Sequence, residues 1–204
     1  MVKKIAAVCL MMALGSTVQA EDVSGSRTFI GFEMDNTKTD RSFTLQNGPK
    51  VNTSTSNVVE YGARFGAEND EWRTTLLYTY YNDKTDLSEE TMNKGSFLMD
   101  YFFLTTGTGE VEFKPYIGLH VGYMTYELTD KLFRPGENTT VSNGNGIFYG
   151  GQVGVEVLFS ELVSLDLAYK YSLTGVTDNQ LTSLNSEFSL DNMGSITFSI
   201  NYFF

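Results

Sequence analysis

The sequence holds one cysteine, Cys9, and one histidine, His120. Cys9 lies in an apolar segment, Ile5 to Leu14, that follows Lys3 and Lys4 and precedes the small-residue stretch Val18-Gln19-Ala20. That order reads as a secretory signal peptide, residues 1–20, cleaved after Ala20. About ten apolar residues fall short of the roughly twenty that a membrane-spanning helix needs. Val8 stands before Cys9 in place of a small residue, which argues against a lipid-modified cysteine. Residues 21–204 then contain no cysteine, so disulfides and thiolate chemistry are excluded even in a compartment that permits them. One histidine without cysteines leaves a zinc-type site short of ligands, and neither a metal nor a cofactor is expected. Asp35 to Asp40 lacks the spacing and the glycine of an EF-hand. No phosphate-cradling glycine loop and no nucleophile elbow occurs.

Basic residues are scarce too. Lysine and arginine total 14 against 25 acids, a net charge of −11. Losing Lys3 and Lys4 leaves 12 bases, or −13, so nucleic acid is not an expected partner and anionic surfaces are poor ones overall. Beyond Ala20 no apolar run approaches a membrane helix, no helix of useful length is predicted, and residues 21–204 fit one domain.

What is present is alternation. In the last stretch Ile196, Phe198, Ile200, Tyr202 and Phe204 fall on one face, and Ser195, Thr197, Ser199 and Asn201 on the other. A strand puts successive side chains on opposite faces, so this is a ribbon with one greasy and one polar surface. Similar ribbons are predicted near Thr28–Asp35, Asn57–Ala67, Trp72–Tyr81, Gly95–Thr105, Phe113–Glu127, Ile147–Phe159 and Val163–Ser172. Short turns at Glu68–Glu71, Thr106–Glu110 and Ser160–Leu162 alternate with long polar loops at Asn36–Ser56, Asn82–Asn93, Leu128–Gly146 and Thr174–Leu190. Eight strands with alternating short and long connections predict an all-β fold, a closed antiparallel up-and-down transmembrane β-barrel.

The faces separate this from a soluble lipocalin-like barrel. A soluble barrel would charge its outer faces heavily. Here the polar faces are rich in small residues, among them Gly31, Gly62, Gly118, Gly122 and Gly154, as a cramped eight-stranded interior requires. The greasy faces carry Trp72, Tyr78, Tyr80, Tyr101, Tyr123, Tyr149, Tyr169, Tyr171 and Tyr202 near strand ends, where membrane interfaces select amphipathic rings.

Lys114-Pro115-Tyr116-Ile117-Gly118-Leu119-His120-Val121-Gly122-Tyr123 resembles a strand of small outer-membrane barrels. Gly151 to Glu156, the Ser160-Glu161 turn and Leu165 to Tyr171 resemble the hairpin that follows it. The chain is similar as a pattern to the outer membrane β-barrel domain family, which includes the transmembrane domain of outer membrane protein A and the opacity-type surface proteins. The resemblance implies an outer-membrane location in a Gram-negative bacterium, periplasmic termini, and contact with outer-membrane lipids and lipopolysaccharide. It further implies biogenesis through periplasmic chaperones and the barrel-assembly machinery, with Tyr202 and Phe204 as the assembly signal. No periplasmic domain is expected after Phe204, so tethering to the cell wall is not implied.

The inward charges predicted from the alternation are Glu33, Glu60, Arg64, Arg73, Asp100, Lys114, His120, Glu156, Asp166 and Lys170. Mixed signs in a narrow space favour ion pairs, since an unpaired buried charge is costly. Glu33 and Arg64, on neighbouring strands, are the expected pair. The set reads as a structural polar plug, and in its functional form as a narrow or gated, porin-like ion path. His120 has no serine neighbour in sequence and reads as a structural histidine. The long loops read as solvated connections or as display surfaces for adhesion and for an extracellular ligand. The expected function is therefore structural and surface-exposed, not enzymatic. A narrow channel is the first alternative and a lipid-modifying enzyme a distant one.

Overall fold

The computed structural model describes residues 25–45, 50–84, 88–108, 111–130, 139–178 and 186–204. The segment expected to be a signal peptide, with its cleavage site at Ala20, lies outside them. Eight long strands form the wall: β1 (Arg27–Leu45), β2 (Lys50–Glu68), β3 (Trp72–Lys84), β4 (Ser88–Phe102), β6 (Val111–Asp130), β7 (Thr139–Ser160), β8 (Val163–Thr174) and β10 (Ser186–Phe203). Two short pieces supplement them. β5 (Thr106–Thr108) pairs with the start of β6, making the expected turn there a small hairpin, and β9 (Thr177–Asp178) bridges β7 and β10.

Every pairing is antiparallel, and β1 pairs with both β2 and β10, so the sheet closes on itself. Closure leaves the wall without the free edge that an open sheet would present. Following partners round the ring from Ile30 leads through Phe65, Leu76, Phe97, Val121, Tyr149, Leu173 and Asn192 back to β1 at Asp40, ten residues from the start. That stagger across eight strands corresponds to a strand tilt of about 40°. The start of β1, the end of β10 and the short turns share one end, the near end. Asn69 tightens one of these turns, its Oδ1 accepting from the amides of Glu71 and Trp72 at 2.9 and 2.7 Å.

Alternation sets the two surfaces. On β6, Phe113, Ile117, Leu119, Val121 and Tyr123 point outward, with Leu119 72% exposed, while Lys114, Tyr116 and His120 are buried inside. Phe113 to Tyr123 covers ten steps, which at this tilt span about 25 Å along the barrel axis, the height of a lipid-facing band. Soluble monomers rarely expose an apolar belt of that size. Rings mark its two edges: Trp72, Tyr101 and Tyr202 near the termini, and Tyr61, Tyr80, Tyr123, Tyr149 and Tyr171 toward the far end.

The strands run well past that band, which corrects the expected loops. Asn36–Leu45 continues β1, Lys50–Ser56 begins β2, Ser88–Asn93 begins β4, Thr139–Gly146 begins β7 and Ser186–Leu190 begins β10. In the sequence polar residues fill both parities of these stretches, so greasy alternation fades although backbone pairing continues. A second change is sharper. On β6 the apolar parity switches after Tyr123, with Met124 and Tyr126 buried inside and Thr125 and Glu127 exposed. The same inversion occurs at Val59/Val58, Tyr80/Tyr81, Ile147/Phe148 and Gly194/Met193. On these strands the wall is greasy outside and polar inside along the band and the reverse beyond it, whereas the inner face of β1 stays polar, with Thr37 and Thr39 buried.

Candidate functional site

The lumen is filled in layers. At the near end Lys114 reaches Glu68 Oε1 (3.1 Å), which also accepts from Arg27 (2.8 Å). The Lys114 ammonium lies 4.0 Å from the Phe102 ring centre, and Arg27 lies 4.1 Å from that of Phe203. Inward aromatic faces thus share the load of desolvated cations.

The next layer centres on Arg73, which is fully enclosed. Its Nε donates to Asp100 Oδ2 (2.9 Å) and its Nη1 to Asp166 Oδ2 (2.6 Å), with Glu156 Oε1 at 3.5 Å. Tyr116 Oη donates to Asp166 Oδ1 (2.6 Å), Gln152 to Asp100 Oδ1, and Ser164 Oγ to Glu156 Oε1 (2.6 Å). Register explains the gathering: Arg73 pairs with Asp100 across β3 and β4, and Glu156 with Asp166 across β7 and β8. Gly118 lies beside Asp100, where a Cβ would stand 2.0 Å from Oδ1, so only glycine leaves room for that carboxylate. The Arg73 guanidinium lies over the Tyr116 ring at 4.5 Å.

Above it Glu33 accepts from Lys170 and from Ser199 Oγ (3.3 Å), with Arg64 Nη1 at 3.5 Å. Arg64 also lies 3.6 Å from Asp166, and Lys170 lies 3.6 Å from Asp35, which accepts from Thr197. Glu60 pairs with Lys94. The expected Glu33–Arg64 pair is therefore one contact in a chain of charges rather than an isolated bridge. Exchanging both residues, Glu33→Arg with Arg64→Glu, sets an arginine against Lys170. We expect the double exchange to stay about 2–3 kcal/mol less stable than the wild type in urea unfolding, whereas recovery to within about 0.5 kcal/mol would identify an independent pair.

His120 meets a partner that sequence proximity did not offer. Its Nε2 lies 2.8 Å from Ser172 Oγ. The two residues sit on β6 and β8 with Gly150 of β7 between them in register. A Cβ at Gly150 would fall 1.9 Å from the Tyr171 carbonyl oxygen and 2.9 Å from Nε2, so the missing side chain is what lets histidine and serine touch. They line a cavity of about 20 Å³ together with Asp35, Lys94, Lys170 and Ser195. That volume holds roughly one water molecule, far too little for an acyl chain or a sugar.

At the far end the lining turns apolar. Val58, Tyr81, Met92, Met124, Tyr126, Phe148, Val176, Leu190 and Met193 form one buried cluster inside the wall. Met124 and Phe148 are 0% and 4% exposed. The ions lie below and the apolar cluster above, with Thr37 and Thr39 of β1 buried beside it. The charges picked out from the sequence all lie in the lower layers. Lys94, Asp35, Tyr116, Gln152 and Ser172 join them as partners; of the apolar cluster, Met92, Val176 and Leu190 fall in stretches expected to be loops, whereas Val58, Tyr81, Met124, Tyr126 and Phe148 fall in expected ribbons, on the face expected to be polar. Among the described residues no group of three or more histidine, cysteine, aspartate or glutamate side chains could hold a metal ion.

No protein-family model matches the sequence, and no curated protein matches it. Solved structures do. Neisserial surface protein A is 15% identical, with 88% of this chain and 99% of that chain covered at a TM-score of 0.55. The outer membrane protein OprG from Pseudomonas aeruginosa is 15% identical, with 88% and 96% covered at a TM-score of 0.57. The chain has the fold of the small eight-stranded outer-membrane barrels.

Proposed function

We propose that the protein is a structural, surface-exposed barrel of a Gram-negative outer membrane, with periplasmic termini and its far end outside the cell. The observation that carries this reading is the inversion of the apolar face beyond the lipid-facing band. A wall that is polar outside and apolar inside is built for water, so the strands continue into the aqueous phase as a rigid β-cylinder with its own small core. The extension gives the surface a firm rim rather than loose loops, and adhesion or recognition by an extracellular ligand would take place on it. The likeness to a protein named as a surface protein supports the reading at the level of fold. Removal of residues 1–20 after Ala20, chaperoned transit and delivery to the barrel-assembly machinery through Tyr202 and Phe204 belong to the same proposal.

The charged lumen favours a second reading, a narrow ion channel, and one experiment separates the two. Single-channel recording of the refolded protein in planar bilayers is expected to show no discrete conductance. Neutralising Arg64 and Arg73 should leave it silent, because the apolar cluster still closes the far end. A variant with Met124→Ser, Phe148→Ser and Met193→Ser should become leaky. Reproducible steps in the wild type that change when the arginines are neutralised would establish the channel reading instead.

A further inference from the structure

The ring of strand pairings is complete along the lipid-facing band but not beyond it. β2 and β3 pair from Glu68 and Arg73 up to Tyr61 and Tyr80, and there their ladder stops. Both strands run on. β2 stays paired with β1 out to Lys50, and β3 with β4 out to Lys84. Residues 57–60 and 81–84 would face each other had the register continued, yet no pairing joins them. The far-end wall is therefore two leaves, β10-β1-β2 and β3-β4-β6-β7, parted by a seam. The opposite seam differs, since β9 pairs with both β7 and β10 there. Along the open seam the edge of β2 over residues 50–60 has no strand beside it among the described residues.

We propose that this edge is a docking site for an extended, basic peptide segment of an extracellular partner, which adds to β2 as a further strand. The inference rests on the surface-exposed orientation given above and names the kind of ligand its rim takes. An edge strand presents a row of free N–H and C=O groups, and proteins usually blunt it with charge, proline or a bulge. Residues 51–59, Val-Asn-Thr-Ser-Thr-Ser-Asn-Val-Val, contain neither charge nor proline. The β1–β2 register shifts once, between Arg41 and Ser42, and leaves residues 54–60 as an unbroken run of seven. Main-chain bonds to such a run hold an incoming strand, and side chains around it choose which one. On the other lip of the seam Asp83 and Glu90 stand side by side in register, and Lys84 is matched by Glu89 at 3.4 Å. Like charges directly opposite in a ladder repel, so a lysine or arginine from the incoming strand is favoured there. The net charge of −11 draws a cationic segment in the same way. A second copy in the same membrane would bring its β2 in parallel and carry the same acids, so neither geometry nor charge favours it.

The test uses the full-length protein refolded in detergent and fluorescein-labelled peptides of threonine and valine, as long as the unbroken run. One peptide carries a lysine pair, a second carries glutamates in their place, and a third keeps the lysines but has alternate backbone nitrogens methylated. Fluorescence anisotropy is expected to show the first binding at least about tenfold tighter than the other two. Thr55 and Ser56 are adjacent, so the backbone of one faces the seam and that of the other faces β1. Of Thr55→Pro and Ser56→Pro, the variant whose lost N–H faced the seam should bind about tenfold more weakly and unfold in urea like the wild type. Equal binding of the lysine peptide and its methylated form, or full affinity in both proline variants, would overturn the proposal. The peptide comparison needs no variant, so it decides even if a substitution prevents folding. Labelling of intact cells separates the site from the orientation. Binding to the purified protein but not to cells that carry it overturns the orientation, and the extracellular partner with it. Absence of binding to the purified protein overturns the edge site alone.

Discussion

Replacing Arg73 with methionine is expected to lower the free energy of unfolding by about 3–5 kcal/mol, the usual loss when one member of a buried ionic cluster is removed. Arg73 is enclosed completely and holds Asp100 and Asp166 by direct hydrogen bonds, with Glu156 at 3.5 Å. Without it three carboxylates share a space whose nearest remaining cation is Arg64, 3.6 Å from Asp166. The bulk of the loss is the penalty of stranded anions rather than the worth of the ion pairs. A triple variant, Arg73→Met with Asp100→Leu and Asp166→Leu, should therefore recover at least about half of it. Urea titration of the protein in lipid vesicles measures both. A single-variant loss below about 1 kcal/mol would mean that water or rearranged neighbours satisfy the acids, and that the layer is less dry than its burial indicates.

Phe148→Ala should be comparably damaging, at about 3–5 kcal/mol, for a different reason. Phe148 is 4% exposed within the far-end cluster, its ring 6.2 Å from that of His120, and Lys94 approaches it at 5.9 Å. Truncation opens a void between the apolar cluster and the ionic layers. Phe148→Leu, which keeps most of the volume, should lose less than about 1.5 kcal/mol. The neighbouring Ile147 is 60% exposed on the outer face, so Ile147→Ala should change the same titration far less. Equal effects at 147 and 148 would contradict the inversion of faces, since the two side chains would then share one environment.

The band within the lipid was plain in the sequence because one physical rule governs it. Ile196, Phe198, Ile200 and Tyr202 repeat every second residue, and Glu33, Arg64, Arg73 and Asp166 fall on the opposite parity for the same reason. Three things were less legible. Val58-Val59, Tyr80-Tyr81 and Ile147-Phe148 place two apolar residues side by side, which breaks a simple alternation and resembles a strand end. In three dimensions each pair marks the crossing from lipid to water. Asn36 to Ser56 was read as a loop because polar residues fill both parities, although the backbone stays paired through most of it. The meeting of His120 with Ser172 depends on two successive registers and on Gly150 between them, and no spacing within one strand reports it.

The inversion also fixes how deeply the barrel can sit. Moving it along the membrane normal by more than a few residue steps would carry polar side chains toward hydrocarbon at one rim or lift tyrosines out of the interface at the other. Tilting is hardly easier, because the far-end tyrosine ring runs around most of the circumference. A bilayer whose hydrocarbon thickness differs from the band of about 25 Å must therefore deform locally, thinning or thickening around the wall at a fraction of a kcal/mol per Å. The protein is a rigid inclusion, and mismatch is absorbed by the lipids that surround it.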